Sequence, residues 1–216
     1  MLELKLIVGS TRDGRSADVV IPWLVDRVAS HGAFSVDVLD LRDWQLPLFR
    51  ETRETVGDFA DPTYSDPIVK RWNQTIKSGD AFLFLTAEYN HSVPGELKNA
   101  IDSVFVSFGF RNKPAAFVGY STGIAAGIRA VEHLAHVMIE TDAVPLRNTV
   151  LIPFVLGAFD GTRPNDPMVD VAAKVMLDDL EWWGTALQKA RAEGELPPGI
   201  FRLRAAATDT TGAARR

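Results

Sequence analysis

The sequence predicts an α/β fold with a doubly wound parallel sheet of five strands in the order 2-1-3-4-5. Strand and helix patterns alternate five times along the 216 residues, and right-handed crossovers leave few other arrangements for such an alternation. The run at residues 81–85 is apolar at every position, which is typical of a central parallel strand covered on both faces. These observations indicate one domain over residues 1–204.

The first part of the chain supplies two strands, at residues 2–8 and 34–39. Between them, apolar residues recur at helical spacing from Val20 to Val28 and predict a helix with one buried stripe. A long polar connection follows at residues 42–66. Connections of that length are uncommon without a function, so we expect this one to cover a site or a subunit contact.

The second part continues the alternation. Asp66 and Pro67 are the residue types of a helix cap and a first helical position. Further strands are predicted at residues 115–120 and 148–154, each followed by a helix with an apolar stripe. From residue 205 onward nothing large is available to bury, so we expect residues 205–216 to be disordered.

Composition excludes several classes of function. The chain contains no cysteine, which rules out disulfides, thiolate nucleophiles, zinc–thiolate sites and iron–sulfur ligation by this chain. A formal net charge of −5 argues against a nucleic-acid surface, which is basic. No apolar run approaches the roughly 18 residues that span a bilayer. Because no signal-peptide pattern is present either, we expect a cytoplasmic protein with no membrane contact.

The loop after the first strand has the chemistry of a phosphate site. Ligands of such sheets bind beyond the carboxyl ends of the strands, where the strand order reverses. Backbone N–H groups at a helix start attract anions, and side-chain hydroxyls and guanidinium groups add donors. A polar turn with solvated arginines explains the same residues equally well. The candidate phosphate contacts are Ser10, Thr11, Arg12, Arg15 and Ser16.

The residue pattern of this first loop limits the classes of ligand that it could bind. It has neither the Gly-x-Gly-x-x-Gly of dinucleotide sites nor the Lys-Ser/Thr of a P-loop. A monophosphate held with side-chain help fits better. FMN is the monophosphate cofactor typical of this architecture, so FMN is the expected ligand.

Two further loops offer a wall for a flat ring. Tyr89 and Asn90 combine an aromatic surface with amide groups suited to the pyrimidine edge of a flavin, although a turn capped by Ser92 explains them equally. In the loop after the fourth strand, small residues let the backbone approach a planar ligand. Tight packing of a helix on a strand accounts for them just as well. The residues of that loop are Tyr120, Ser121, Thr122 and Gly123.

Other candidate sites are weaker. His133 and His136 lie three residues apart on a predicted helix, but no further ligands are in sight, and we expect no metal site. The stretch Gly119-Tyr120-Ser121-Thr122-Gly123 has the Gly-x-Ser-x-Gly spacing of a nucleophile elbow, but we expect no Ser-His-Asp triad. No side chain is therefore assigned a catalytic role.

Taken together, the loops resemble those of the NAD(P)H-dependent FMN reductase family, which includes quinone, azo-dye and chromate reductases. The resemblance runs from about Leu4 to Pro153. It rests on Gly-Ser-Thr-Arg-x-Gly-Arg in the first loop and on Leu-Pro-Leu after the second strand. The long stretch Glu-Tyr-Asn-His-Ser-x-Pro-Gly-x-Leu-Lys-Asn-Ala-Ile-Asp after the third strand is its most specific part.

This resemblance implies a flavodoxin-like three-layer sandwich with bound FMN, NADPH or NADH as co-substrate, and a small acceptor such as a flavin, quinone or azo compound. Flavin chemistry then requires no side-chain base. Family members are commonly homodimers or homotetramers with sites near subunit contacts. The implied phosphate contacts are Ser10, Arg12, Arg15 and Ser16, and the implied ring contacts are Ala87, Glu88, Tyr89, Asn90 and the Tyr120, Ser121, Thr122 and Gly123 loop.

The sequence departs from the family pattern at two places. Ala87 stands where proline usually precedes Glu-Tyr-Asn, and the loop after the fourth strand has fewer glycines than usual. Two alternatives stay open. A flavodoxin-type electron carrier binds FMN without a pyridine-nucleotide site, and a domain that has lost its cofactor serves as an interaction module.

Overall fold

A computed structural model describes residues 1–58 and 62–213 and confirms the predicted architecture. The main sheet has the order β2-β1-β3-β4-β5, with β6 also paired to β4, and its pairings are parallel. Its strands are β1 Leu2–Val8, β2 Phe34–Asp40, β3 Ala81–Ala87, β4 Pro114–Tyr120, β5 Val144–Pro145 and β6 Val150–Ile152. An antiparallel ribbon of β7 Phe159–Asp160 and β8 Arg163–Pro164 lies outside this sheet.

Helices cover both faces of the sheet. The helices are α1 Ala17–His31, α2 Leu41–Trp44, α3 Arg53–Val56, α4 Pro67–Lys77, α5 Gly95–Asp102, α6 Ile128–Glu140, α7 Pro167–Glu193 and α8 Gly199–Ala213. Helices α1 and α7 share one apolar core with the sheet, and α4, α5 and α6 share the other. Among the described residues, no helix combines the length and apolarity needed to cross a membrane.

Strand β3 shows how the sequence produces these two cores. All seven of its residues are buried. Leu83 and Leu85 join the core with α1 and α7, whereas Phe82 and Phe84 join the core with α4, α5 and α6. Successive side chains of a strand point to opposite faces, so a strand covered on both sides needs an unbroken apolar run.

Local signals set some of the boundaries. Helix α4 begins as predicted, because the Asp66 side chain accepts a hydrogen bond from the Ile68 N–H at 3.0 Å and Pro67 fills the first position. The Asn99 side chain holds the connection after β2 by donating to the Pro47 carbonyl at 2.8 Å and accepting from the Phe49 N–H at 2.7 Å. The connection therefore packs against α5 near the sheet edge.

The structure differs from the sequence prediction in three places. The predicted strand at residues 148–154 is shortened to β6, which pairs with the end of β4, and an additional short strand before it, β5, pairs with the start of β4. The connection at residues 42–66 includes α3 and most of α2. Residues 205–213 belong to α8 rather than to a disordered tail; alanine favours helix without any burial. Residues 214–216 of the expected tail lie outside the described residues.

Candidate cofactor site

The first loop, residues 9–16, joins β1 to α1 at the carboxyl edge of the sheet. Within the described part of the chain, the backbone N–H groups of residues 11–16 donate to no protein acceptor. Gly14 has a φ of 64°, which glycine adopts without strain, and this allows the tight turn into the helix. Free N–H donors at the positive end of α1 form an anion-binding arrangement.

Arg15 is buried in this loop and is already occupied. Its guanidinium donates to both carboxylate oxygens of Asp40, to Asp18 at 2.8 Å and to the Ser10 carbonyl at 2.5 Å. The hydrogen bond with Asp40 raises the pKa of Arg15 further despite its burial. Burial raises the pKa of Asp40, but the bonds from Arg15 and the Arg42 backbone outweigh it and lower that pKa overall. Arg15 therefore fixes the shape of the loop and has little donor capacity left for a ligand.

Arg12 is the arginine of this loop with donors to offer. Its side chain is exposed and forms no ion pair with a described residue. The guanidinium carbon lies 5.5 Å from the centre of the Tyr89 ring, a cation–π distance. Its backbone carbonyl accepts a hydrogen bond from the Arg42 side chain at 3.1 Å. This contact holds the Arg12 backbone in place and leaves its own guanidinium free.

Three hydroxyl groups meet beneath the loop. The hydroxyls of Ser10 and Tyr89 lie 2.7 Å apart in a hydrogen bond. The buried Tyr120 hydroxyl has no hydrogen-bond partner among the described residues. Burial raises its pKa and Tyr89 raises it further, while the nearby Ser10, itself engaged with Tyr89, lowers it. A buried hydroxyl without a partner is uncommon and marks a position suited to a polar ligand atom.

The second loop makes a tight hairpin turn. The backbone N–H and carbonyl groups of Tyr89 and Ser92 bond each other at 2.9 and 3.0 Å. Asn90 and His91 between them have φ values of 49° and 71°, as in a two-residue turn with both central residues left-handed. Arg129 Nη1 lies 3.0 Å from His91 Nδ1. Because a guanidinium only donates, Nδ1 accepts and the proton of His91 lies on Nε2.

Glu88 fastens the second loop to helix α6. Its side chain is only 4 % exposed and forms an ion pair with Arg129. It also accepts from the Arg129 backbone N–H at 3.3 Å, near the helix start, where a carboxylate is favoured. The Glu88 N–H donates to the Tyr120 carbonyl at 3.2 Å. The Glu88 side chain thus positions the loop and is not turned toward the open edge.

In the third loop, which follows β4, small residues have two different roles: one packs against the strand and the others border open space. Gly127, with a φ of 85°, packs against β4, because a Cβ there would lie 2.5 Å from the Tyr120 backbone nitrogen. At Gly123 a Cβ would meet nothing within 4 Å, and Thr122 beside it is exposed. Ser121 is tied down by its backbone bonds to β6 and the following turn. Packing against β4 therefore explains Gly127, whereas Thr122 and Gly123 lie at the open edge, where a ligand can approach.

The structure brings most of the predicted site residues to one edge. Arg12, Tyr89 and Tyr120 surround Ser10, and Ala87 lies buried opposite Tyr120 in the β3–β4 register. Thr11 and Ser16 line the first loop, and Asn90, Thr122 and Gly123 lie exposed on the other two. Arg15, Glu88 and Ser121 are engaged within the protein.

Sequence reasoning missed the partners of these engaged residues, Asp40, Arg42 and Arg129. The available signal for Asp40 was a carboxylate at the end of a strand beside the arginine-containing loop. It also missed a cleft of about 510 Å³ beside Thr11, between the connection after β2 and the start of α5. No cluster of three or more metal-ligating side chains occurs among the described residues.

A doubly wound sheet with an anion-binding loop where its strand order reverses defines a flavodoxin-like protein. The family model of NADPH-dependent FMN reductase matches residues 3–157. The chain belongs to this family and is an oxidoreductase that uses FMN and NAD(P)H. This membership confirms the fold and function predicted from the sequence and favours a reductase over an electron carrier.

Individual relatives agree with this membership. The chain is 34 % identical over 181 residues to the NAD(P)H-dependent FMN reductase PA1204 of Pseudomonas aeruginosa, covering 82 % of this chain and 92 % of that one. It is 47 % identical over 128 residues to a quinone reductase of Pseudomonas putida, covering 58 % and 63 %. The solved structure of the flavoenzyme FerB of Paracoccus denitrificans aligns with a TM-score of 0.68 at 22 % identity, covering 86 % and 98 %, and supports the fold.

Proposed function

We propose that the first loop holds the phosphate of FMN, that the flavin ring lies against the second and third loops, and that the physiological acceptor is a quinone. The free N–H groups of residues 11–16 beside the unpaired guanidinium of Arg12 carry this proposal. A phosphate monoester matches such a donor set at a helix start.

The remaining residues fit FMN as well. Ser10, Thr11 and Ser16 contribute hydroxyl groups, and the partnerless hydroxyl of Tyr120 gives a polar ligand atom a hydrogen-bonding position. The exposed Asn90 and its neighbours leave room for a second substrate to stack. Bound FMN supplies the electron-transfer chemistry, while the chain fixes the phosphate, orients the ring and leaves one face open.

The quinone class is supported by the relatives and by the edge itself. The quinone reductase of Pseudomonas putida is the relative above with the highest identity. A quinone is flat and presents carbonyl oxygens as acceptors. The Asn90 amide and the Nε2–H of His91 are donors on the exposed part of the second loop, so they suit such a ligand.

A visible spectrum tests the assignment. Purified protein mixed with FMN should show bound flavin, which NADPH or NADH should bleach under anaerobic conditions and a benzoquinone should restore. A yellow protein that neither nucleotide bleaches would instead indicate an electron carrier. A protein that stays colourless with FMN would indicate an interaction module.

Arg12→Ala is expected to weaken FMN binding by about 1.5–3 kcal/mol, the contribution of a charge-assisted hydrogen bond. Fluorescence quenching of FMN measures the affinity, and riboflavin, which lacks the phosphate, is the matched ligand. The affinity of the protein for riboflavin should not change with this substitution. The exposed Arg163→Ala serves as the control variant. Equal losses for FMN and riboflavin would contradict the phosphate assignment.

We also propose that the protein is a homo-oligomer, a dimer or a tetramer. Support comes from an apolar patch next to the third loop, formed by Ile124, Phe154 and Leu156, which are 84 %, 57 % and 80 % exposed. Large contiguous apolar surface commonly marks a protein contact. Light scattering should give two or four chains per particle, and Leu156→Ser should shift the mass toward one. A wild-type protein of one chain at micromolar concentration would contradict this.

We place the protein in the cytoplasm. The absence of cysteine is compatible with a reducing compartment, and the reaction draws on NAD(P)H. Cell fractionation with antibody detection tests this placement, and recovery in a membrane or exported fraction would contradict it.

A further inference from the structure

A second pocket of about 490 Å³ lies at the opposite, amino-terminal edge of the sheet. It is bounded by the end of α4, the segment that leads into β4, and the chain between α7 and α8. None of the three loops of the cofactor site reaches it. Four cationic side chains and one carboxylate line its walls: Lys77, Arg111, Lys113, Arg191 and Glu195.

Lys113 is a buried cation without a paired carboxylate among the described residues. Its ammonium donates to the carbonyl oxygens of Lys77 at 2.7 Å and Gly109 at 2.9 Å. Its pKa is lowered to about 7, chiefly by burial and also by the charges of Arg191 and Arg111, which outweigh the opposing charges of Asp80 and Glu195. A positive charge held in this way favours an incoming anion.

The arginines are balanced by carboxylates, whereas the lysines are not. Arg191 pairs with Asp80 at 2.8 Å, and Arg111 pairs with Glu195 at 2.9 Å. The Nε of Arg111 is buried and has no hydrogen-bond partner among the described residues. Lys77 is exposed and forms no ion pair with them. The pocket therefore carries a surplus of positive charge and an unused donor.

One wall of the pocket is apolar and aromatic. Phe108 and Phe201 line it together with Pro198. The two rings are 5.9 Å apart and inclined at 64°, an edge-to-face arrangement that holds α8 against the body of the domain. A ligand with a ring on one end and an anionic group on the other would contact both walls.

We propose that this pocket binds a nucleoside monophosphate, with its phosphate at the cationic wall and its base on the aromatic wall. The site is separate from the FMN site, so the holoprotein saturated with FMN is the form to examine. Protein aromatics and guanidinium groups are common partners of bases and phosphates.

Calorimetric titration of AMP into FMN-saturated protein tests the proposal, with inorganic phosphate and adenosine as separate probes at fixed ionic strength. We expect one AMP per chain, with phosphate and adenosine each weaker. Arg111→Gln should weaken AMP binding about tenfold or more. Glu195→Gln, which removes a negative charge from the same wall, should tighten it. Arg163→Gln is the surface control and should change nothing.

Proton linkage gives an independent readout. A bound phosphate dianion favours the charged form of Lys113, so binding near pH 7.5 should take up protons, and titrations in two buffers of different ionisation enthalpy measure the uptake. Lys113→Met should abolish it. Three results would each overturn the proposal. They are a failure of AMP to bind, equal AMP affinities of Arg111→Gln and Glu195→Gln, and inorganic phosphate binding as tightly as AMP.

Discussion

Gly127→Ala is expected to lower the free energy of unfolding by about 3 kcal/mol or more. A left-handed backbone at a residue with a Cβ costs about 1–2 kcal/mol, and forcing extra volume into a packed site adds about 1–3 kcal/mol. The new Cβ would lie 2.5 Å from the Tyr120 nitrogen and 2.9 Å from the Gly119 carbonyl carbon. Because both neighbours are backbone of β4, no side-chain rotation relieves the contact.

The measurement is thermal and urea unfolding of the protein, together with FMN affinity. A loss of that size in a domain of this length lowers Tm by about 6–12 °C. FMN binding should weaken too, since the displaced strand end carries Tyr120. Gly123→Ala in the same loop is the matched control, because it meets nothing within 4 Å and has no positive φ. A Gly127→Ala protein as stable as Gly123→Ala would show that helix α6 does not pack as described.

The sheet could be predicted because each strand carries its own signal. Residues 81–85 are apolar throughout, and in the structure they alternate between the two cores. Helix α4 begins where Asp66 and Pro67 indicate. Strand β5 and the shortness of β6 could not be predicted, because the two strands are two and three residues long and are defined by pairing with different parts of β4. Such pairings depend on tertiary contacts.

The site was predicted at the level of loops and less well at the level of side chains. Arg12 and Arg15 are the same residue type three positions apart, and the sequence treats them alike. Their roles diverge because Asp40, 25 positions beyond Arg15 in the chain, pairs with Arg15 and forms no ion pair with Arg12. Likewise Glu88 is committed to Arg129, 41 positions away. Partners brought together by the fold decide which polar groups stay free for a ligand.

Asp40→Asn is expected to destabilise the protein by about 3 kcal/mol. The Arg15 side chain is 2 % exposed and that of Asp40 is 19 % exposed, and removing one partner of a buried pair costs about 3–5 kcal/mol. The asparagine oxygen retains one hydrogen bond, which places the expected loss at the lower end. Asp102→Asn is the control, since both partners of the Lys98–Asp102 ion pair are exposed, by 44 % and 40 %, and such pairs contribute at most about 1 kcal/mol.

The pH dependence of unfolding follows from the same pair. The pKa of Asp40 is lower in the folded protein than its usual value, so the folded state holds this proton less tightly than the unfolded chain does. The stabilisation is fully present above the unfolded pKa of about 4 and is lost as pH falls through the lower folded pKa. Wild-type stability should therefore fall more steeply than that of Asp40→Asn in acid below about pH 4.

FMN affinity of Asp40→Asn distinguishes two roles for Arg15. If Arg15 itself gripped the phosphate, removing the competing carboxylate would free its donors, take away a negative charge and strengthen binding. If Arg15 holds the Ser10 carbonyl and the loop in shape, as its hydrogen bonds indicate, removing Asp40 loosens the loop and weakens binding. We expect weaker binding, measured by titration at a temperature where both proteins are folded. Tighter FMN binding by Asp40→Asn would instead indicate that Arg15 contacts the phosphate and that Asp40 competes with the phosphate for its donors.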